Sequence, residues 1–270
     1  NMTAIPDKNN LSPSSTLNER TRSSILGRFN YNYKKRYYFT FTSRVDGSSN
    51  FAANNKYAFF PSGAFKWVIS TEPFMKNATW INDLSLRLSA GLSGNDAISY
   101  YRSMEALTSS TSGYLFGYSQ PLSVYPSRLE SKDLTWEKTA MYNAAIDFAV
   151  LKNRLELSLE AYYSKTTDLL LSVKLPTATG FDSRYTNIGA TENKGVELSI
   201  NSRNIVRKNF SWETTLTLAH NTQMVLDTGS SDFVIAYESP TNNKYMMYGY
   251  VNGYPLNALW GFKAAGVWHN

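Results

Sequence analysis

The sequence predicts an all-β fold, an antiparallel up-and-down transmembrane β-barrel segment of about eight strands. Three observations carry this. Runs of alternating polar and apolar residues recur along the 270 residues, several longer than the roughly 5–6 residues usual for strands of globular proteins. The connections between them are short at one end and long at the other, as in outer-membrane barrels. The chain is also rich in side chains that favour pleated surfaces, with 19 Tyr, 14 Phe and 6 Trp against 18% charged residues.

After a polar segment over 1–23, the first hairpin places Ile25, Gly27, Phe29, Tyr31 and Tyr33 on one face and Arg28, Asn30 and Asn32 on the other. A tight turn at Lys34, Lys35 and Arg36 leads into Tyr37, Phe39, Phe41 and Val45, which resume the apolar face. A small, polar loop at about 46–57 precedes the third strand, "YAFFPSGAFKWVIS". The fourth, "LSLRLSAGLS", alternates almost perfectly. Periodicity is then lost over 94–133, which reads as one long loop. Two further hairpins follow. The first joins "LTWEKTAMYNAAIDFAVL" to "NRLELSLEAYYSKTTDLL" through Lys152 and Asn153, and the second joins "KGVELSINSRNIV" to "FSWETTLTLAHN". Residues 171–193 between them read as an irregular loop, and 223–270 as a loop or insertion.

Several function classes find little support. The formal net charge of +6 is scattered as single residues and short clusters, without the continuous basic stripe of a nucleic-acid-binding protein. No cysteine is present to build disulfides or thiolate metal sites. The two histidines, His220 and His269, are far apart, and neither a phosphate-binding glycine loop nor a G-x-S-x-G elbow occurs. Glu156 and Glu160 on one strand are about 13 Å apart at ~3.3 Å per residue, too far for a glycosidase pair. These observations predict a non-enzyme with no cofactor and no metal. The opening residues carry no apolar core of a signal peptide. No run reaches the roughly 20 apolar residues of a membrane-spanning helix, a test to which β-strands are blind.

Alternation alone fits a soluble sandwich as well as a barrel. Strand length favours the barrel, as do Trp67, Trp80, Phe210 and Trp212, which stand near the short-turn ends as an interfacial girdle would. On this reading the leucines face lipid. Arg87, Asp147, Arg154, Glu156, Glu160, Glu197 and Glu213 then face the lumen. In the long loop, Tyr100, Tyr101, Tyr114, Tyr118 and Tyr125 offer ring faces to a ligand or a protein partner. "DGSSN" over 46–50 reads as a polar turn rather than a calcium loop.

Seven blocks, "SRVDGSSNF", "FFPSGAFKWVISTEPFM", "LRLSAGLSGN", "LTWEKTAMYNAAIDF", "YYSKTTDLLL", "NIGATENKGVELSI" and "GYPLNALWGFKAAGV", follow one another in order from about residue 24. In them the chain resembles the SusC/RagA-type TonB-dependent outer-membrane transporters of Bacteroidetes. The resemblance implies a segment of a 22-stranded barrel in the outer membrane, with further strands expected after Asn270 and a plug domain and TonB box elsewhere in a longer protein. It also implies a SusD-like surface lipoprotein as lid, TonB as energy source and oligosaccharides or peptides as cargo, with the long loops on the lid side. The alternative from another class is a soluble or surface-attached β-sandwich that binds carbohydrate through its tyrosines.

Overall fold

A computed structural model describes residues 17–111, 122–229, 247–256 and 258–260. Numbered in chain order, eight strands form one antiparallel sheet: β1 (Arg22–Tyr33), β2 (Tyr37–Ser48), β3 (Tyr57–Val68), β4 (Ile81–Asn95), β7 (Glu137–Val150), β8 (Leu155–Thr167), β11 (Ala190–Arg207) and β12 (Phe210–Asp227). They pair in that order. The remaining strands form separate two-stranded ribbons: β5 (Ala106–Thr111) with β6 (Leu122–Arg128), β9 (Leu170–Lys174) with β10 (Ser183–Asn187), and β13 (Met247–Gly249) with β14 (Ala258–Trp260). The fold is therefore the all-β, antiparallel, up-and-down arrangement that the alternation predicts.

The structure departs from the expected boundaries at three places. The stretch 94–133 is not structureless, because it folds back as the β5–β6 ribbon. The stretch 171–193 likewise holds the β9–β10 ribbon and the first residues of β11. Strand β12 runs to Asp227, past its expected end, because it pairs with β11 as far as Ala190. In these places cross-strand hydrogen bonding outlasts the apolar alternation that reveals a strand in sequence.

The main strands are 12 to 18 residues long, and all have one polar and one apolar face. Register shifts occur only near strand ends, at Ile81/Asp83, Ala190/Thr191 and Arg203/Ile205, so the two faces persist through the middle of the sheet. The apolar face is uncovered. Phe29 is 64% exposed, Ile146 46% and Leu218 53%, and no second layer packs on them among the described residues. The buried aromatic and large aliphatic side chains Phe51, Phe60, Ile98, Leu134 and Trp136 form one cluster at the long-connection end.

Near the short turns, aromatic rings ladder across β1, β2 and β3. Tyr31 lies 6.4 Å from Phe39, Phe39 lies 5.0 Å from Phe65, and Tyr37 lies 6.2 Å from Trp67. The turns themselves are tight and strained. Lys34 and Lys35 have φ of 53° and 55°, and Leu151, Lys152 and Asn153 have 55°, 58° and 61°. A left-handed backbone costs a non-glycine residue about 1 kcal/mol or more. The side chain of Asn82 offsets part of this by accepting the Lys152 amide at 2.7 Å and the Asn153 amide at 3.3 Å.

Glycines opposite aromatic residues tighten the sheet further. Tyr57 lies over Gly47, Phe60 over Gly94 and Tyr162 over Gly195. A β-carbon at Gly195 would stand 2.7 Å from the Tyr162 ring and 2.8 Å from the His220 carbonyl oxygen. The ring can swing away, but the backbone of β12 cannot. Gly195→Ala is therefore expected to destabilise the sheet, read as loss of its β-sheet circular dichroism at a lower temperature than in the wild type. Unchanged folding would show that the β11–β12 ladder relaxes at no cost.

Candidate functional site

Two polar constellations stand out, one on the polar face of the sheet and one at its long-connection end. On the face, cross-strand register brings together residues far apart in sequence. Asp147 of β7 is opposite Ser158 of β8, and Glu160 of β8 is opposite Glu197 of β11. Arg87 of β4 donates to both Asp147 oxygens, at 2.7 and 3.0 Å, and lies 3.8 Å from a Glu160 oxygen. The Ser158 hydroxyl donates to Asp147 at 2.8 Å, and the Asn143 amide donates to Glu160. Planar pairing of the Arg87 guanidinium with the Asp147 carboxylate joins β4 to β7, and Ser158 and Glu160 extend the network to β8. A depression of about 490 Å³ opens beside this network, lined by small residues including Ser62, Ala64, Ser89 and Gly91 and bounded by Met141 and Tyr162.

Of the charged residues singled out in the sequence, Arg87, Asp147, Glu156, Glu160, Glu197 and Glu213 share this face by register. Glu213 pairs with Arg203 at 3.4 Å, apart from the central network. Arg154 is not in a strand, because it closes the turn between β7 and β8, where its amide donates to Val150.

The second constellation centres on Asp96, just beyond β4. Its carboxylate takes the Ser48 hydroxyl at 2.7 Å, Arg20 Nη2 at 2.6 Å and the Arg22 guanidinium. The buried Asn50 side chain donates at 3.2 Å to the carbonyls of both Asp96 and Ile98. The stretch "DGSSN" is thus an internal tie, with Ser48 and Asn50 turned inward. Asn187 makes a second tie. It accepts the Thr135 amide at 2.7 Å and donates to the carbonyls of Thr135 and Asp168, at 2.7 and 2.9 Å. The Trp136 indole donates to the Lys56 carbonyl at 3.0 Å, and its ring packs on Phe51 and Phe60. Three connections at this end, over 49–56, 96–136 and 168–189, are joined in one knot. Leu134 and Trp136, expected within a strand, belong to this knot and precede β7.

The loop tyrosines are placed less uniformly. Tyr101 has φ of 58°, its hydroxyl accepts the Glu19 amide at 2.9 Å and its carbonyl accepts Arg128 at 2.8 Å, so it serves as a brace. Tyr100 stands beside it at 6.3 Å between ring centres, and both are partly exposed. Tyr125 is exposed on β6, opposite Thr108. Tyr114 and Tyr118 lie outside the described residues. Of the knot residues, Asn50 is legible in sequence only as part of the polar turn 46–50, and Asp96 and Asn187 carry no local signal, although each sits in or beside one of the seven blocks.

Burial pushes the Asp96 carboxyl up, but hydrogen bonds from Ser48, Arg20 and Arg22 outweigh it, so its pKa lies below the ordinary 3.8. A folded value below the unfolded one means that the stabilisation is complete above the ordinary value. It is lost as pH falls through the lower, folded value. Acidification below about pH 4 is therefore expected to loosen the knot, read as amide exchange around 48–50 and 96–98, and Asp96→Asn to loosen it at neutral pH. Asn187→Ala strands the Thr135 backbone groups and is expected to raise exchange across 134–136. Unchanged exchange in both variants would show that the aromatic cluster alone holds the connections.

Comparison with known proteins agrees with this geometry. Residues 2–268 match the family described as TonB dependent receptor-like, beta-barrel. The chain is 42% identical over 231 residues to TonB-dependent receptor P3 of Formosa agariphila, an alignment covering 85% of this chain and 23% of that protein. It is 40% identical over 205 residues to TonB-dependent receptor SusC of Bacteroides thetaiotaomicron, covering 74% and 20% respectively. Its fold superposes on a solved structure of the RagAB peptide transporter with a TM-score of 0.75 at 28% identity, covering 88% of this chain and 25% of that one. The chain thus spans about a quarter or less of the length of these relatives. With the family matched along almost its whole length, the chain belongs to the TonB-dependent receptor β-barrel family, among members of the SusC/RagA type.

Proposed function

We propose that this chain is a wall segment of an outer-membrane transporter that imports oligosaccharides or peptides. It would work with a SusD-like surface lipoprotein and draw its energy from TonB through another part of the parent protein. The observation that carries this reading is the uncovered apolar face of eight strands, each long enough to cross a bilayer, where roughly 9–11 tilted residues suffice. On β8 the stretch from Leu155 to Tyr163 runs about 26 Å at ~3.3 Å per residue, in keeping with an apolar band of about 25 Å. A soluble sandwich would cover these side chains with a second sheet.

In this reading the apolar face meets lipid and the polar face lines the lumen. Arg87, Asp147, Glu156, Glu160, Glu197 and Glu213 then form the wetted wall, and Arg154 marks its periplasmic rim. The long-connection end lies outside the cell, where the Asp96 and Asn187 ties hold the loops in position for the lipoprotein. Tyr100, Tyr101 and Tyr125 are the described loop tyrosines available to lid or cargo. Similarity to the RagAB peptide importer supports an importing role and peptides as a cargo class, and similarity to TonB-dependent receptor SusC supports dependence on TonB.

Leu159→Lys in the whole parent transporter separates lipid from water. Leu159 is 42% exposed, so on a solvated face the change would cost about 0.5 kcal/mol or less. Near a bilayer midplane it costs about 2–4 kcal/mol. The expected result is a marked fall in heat-modifiable protein in the outer-membrane fraction, and an unchanged amount would overturn the membrane reading. Removing the partner lipoprotein is expected to abolish energised uptake by the parent; undiminished uptake would overturn the lid role.

A further inference from the structure

We propose that the short-turn rim binds anionic phospholipid headgroups in the leaflet on that side of the membrane. The proposal rests on the membrane reading above. The connections at 34–36, 69–80, 151–154 and 208–209 hold seven cations and one acid, Glu72. Seven less one is an excess of six. The whole chain has 27 Lys and Arg against 21 Asp and Glu, a formal net charge of +6. These four turns therefore contain the entire excess, and the remainder of the chain is formally neutral.

The acid is already engaged. The Glu72 carboxylate accepts the Tyr37 hydroxyl at 2.6 Å, the Trp67 indole at 3.0 Å and Arg36 at 3.2 Å. The Tyr37 and Trp67 hydrogen bonds, more than Arg36, hold its pKa below the ordinary value against the opposing effect of burial, so it stays ionised. Among the described residues, no ion pair joins Lys34, Lys35, Lys76, Lys152, Arg154 or Lys208 to a carboxylate, and all six are exposed.

At each turn a cation lies within two residues of a large exposed apolar group. The Lys34 ammonium stands 5.1 Å from the centre of the Tyr33 ring, Lys76 is two residues after Phe74, Lys152 is next to Leu151, and Lys208 is two residues before Phe210. Successive turns are at least two strands apart, about 10 Å or more at ~4.8 Å per strand. One bound solute would need its contacts drawn together, whereas a layer of small amphiphiles needs them repeated along a line. An apolar group in the acyl boundary with an ammonium reaching the phosphate is how amphipathic side chains settle at an anionic interface. Continuity with the exposed apolar face selects lipid over a water-soluble anion.

The test uses the whole parent transporter in nanodiscs of mixed phosphatidylcholine and phosphatidylglycerol, with retained lipids counted by native mass spectrometry after mild delipidation. The wild type is expected to enrich phosphatidylglycerol several-fold over the bulk ratio. The enrichment should fall to the bulk ratio in high salt and in the combined variant K34Q, K35Q, K152Q and K208Q, while the matching four-arginine variant retains it. No enrichment by the wild type, or equal enrichment by the glutamine variant, overturns the proposal. Photoactivatable phosphatidylglycerol on the wild type gives an answer independent of variant folding: labels should map to peptides bearing these turns, and labels confined to the opposite end overturn it. A parent that reaches the outer membrane as a folded barrel yet shows no enrichment fails this proposal alone. A parent recovered without detergent fails the membrane reading itself.

Discussion

Backbone pairing between neighbouring strands is the interaction on which the rest of the sheet depends. In the membrane reading proposed above, an amide placed in hydrocarbon must find its partner within the protein, because each unpaired group costs several kcal/mol. Strands of 12 to 18 residues, register shifts near strand ends and tight reversals at three of the four connections of one end meet that demand. Even the left-handed residues at 34–35 and 151–153 fit this demand, since a tight reversal keeps the ladder intact up to the rim.

The same constraint divides the labour between the two ends. At the short-turn end, stability is local: an aromatic ladder, the Glu72 clasp and the Asn82 brace each join neighbours in the sheet. At the other end the connections are long, and order there is imposed from a distance. Asp96 gathers side chains, Asn50 and Asn187 gather backbone groups, and together these buried or partly buried polar residues join three separate connections. A polar knot is well suited to this place because each member, once paired, specifies one arrangement, whereas an apolar cluster tolerates several.

How far the sequence speaks depends on which periodicity is being read. Eight strands and two faces were legible from residues such as Leu84, Leu86 and Leu88 alternating with Ser85, Arg87 and Ser89, because pleating repeats every two residues. The clustering of Arg87, Asp147 and Glu160 was legible only as a shared face; their contacts depend on register between strands 60 residues apart. The ribbons β5–β6 and β9–β10 were missed because their alternation is short and polar. The knot was missed for a different reason. Ser48 and Asn50 look like ordinary turn residues, and nothing local distinguishes an asparagine facing water from one closing a buried site.

The Asp96 tie has a consequence for how the sheet assembles. Arg22 is the first residue of β1, and Ser48, its register partner, is the last of β2. Both reach the same carboxylate, which lies beyond the end of β4, 74 positions downstream of Arg22. A slip of β1 by one residue would turn its phenyl rings to the wrong side and also withdraw Arg22 from Asp96. The alignment of the first hairpin is thereby bound to the position of a residue that becomes available only where β4 ends. The tie works as a register lock, making the correctness of one pairing depend on the placement of another far along the chain.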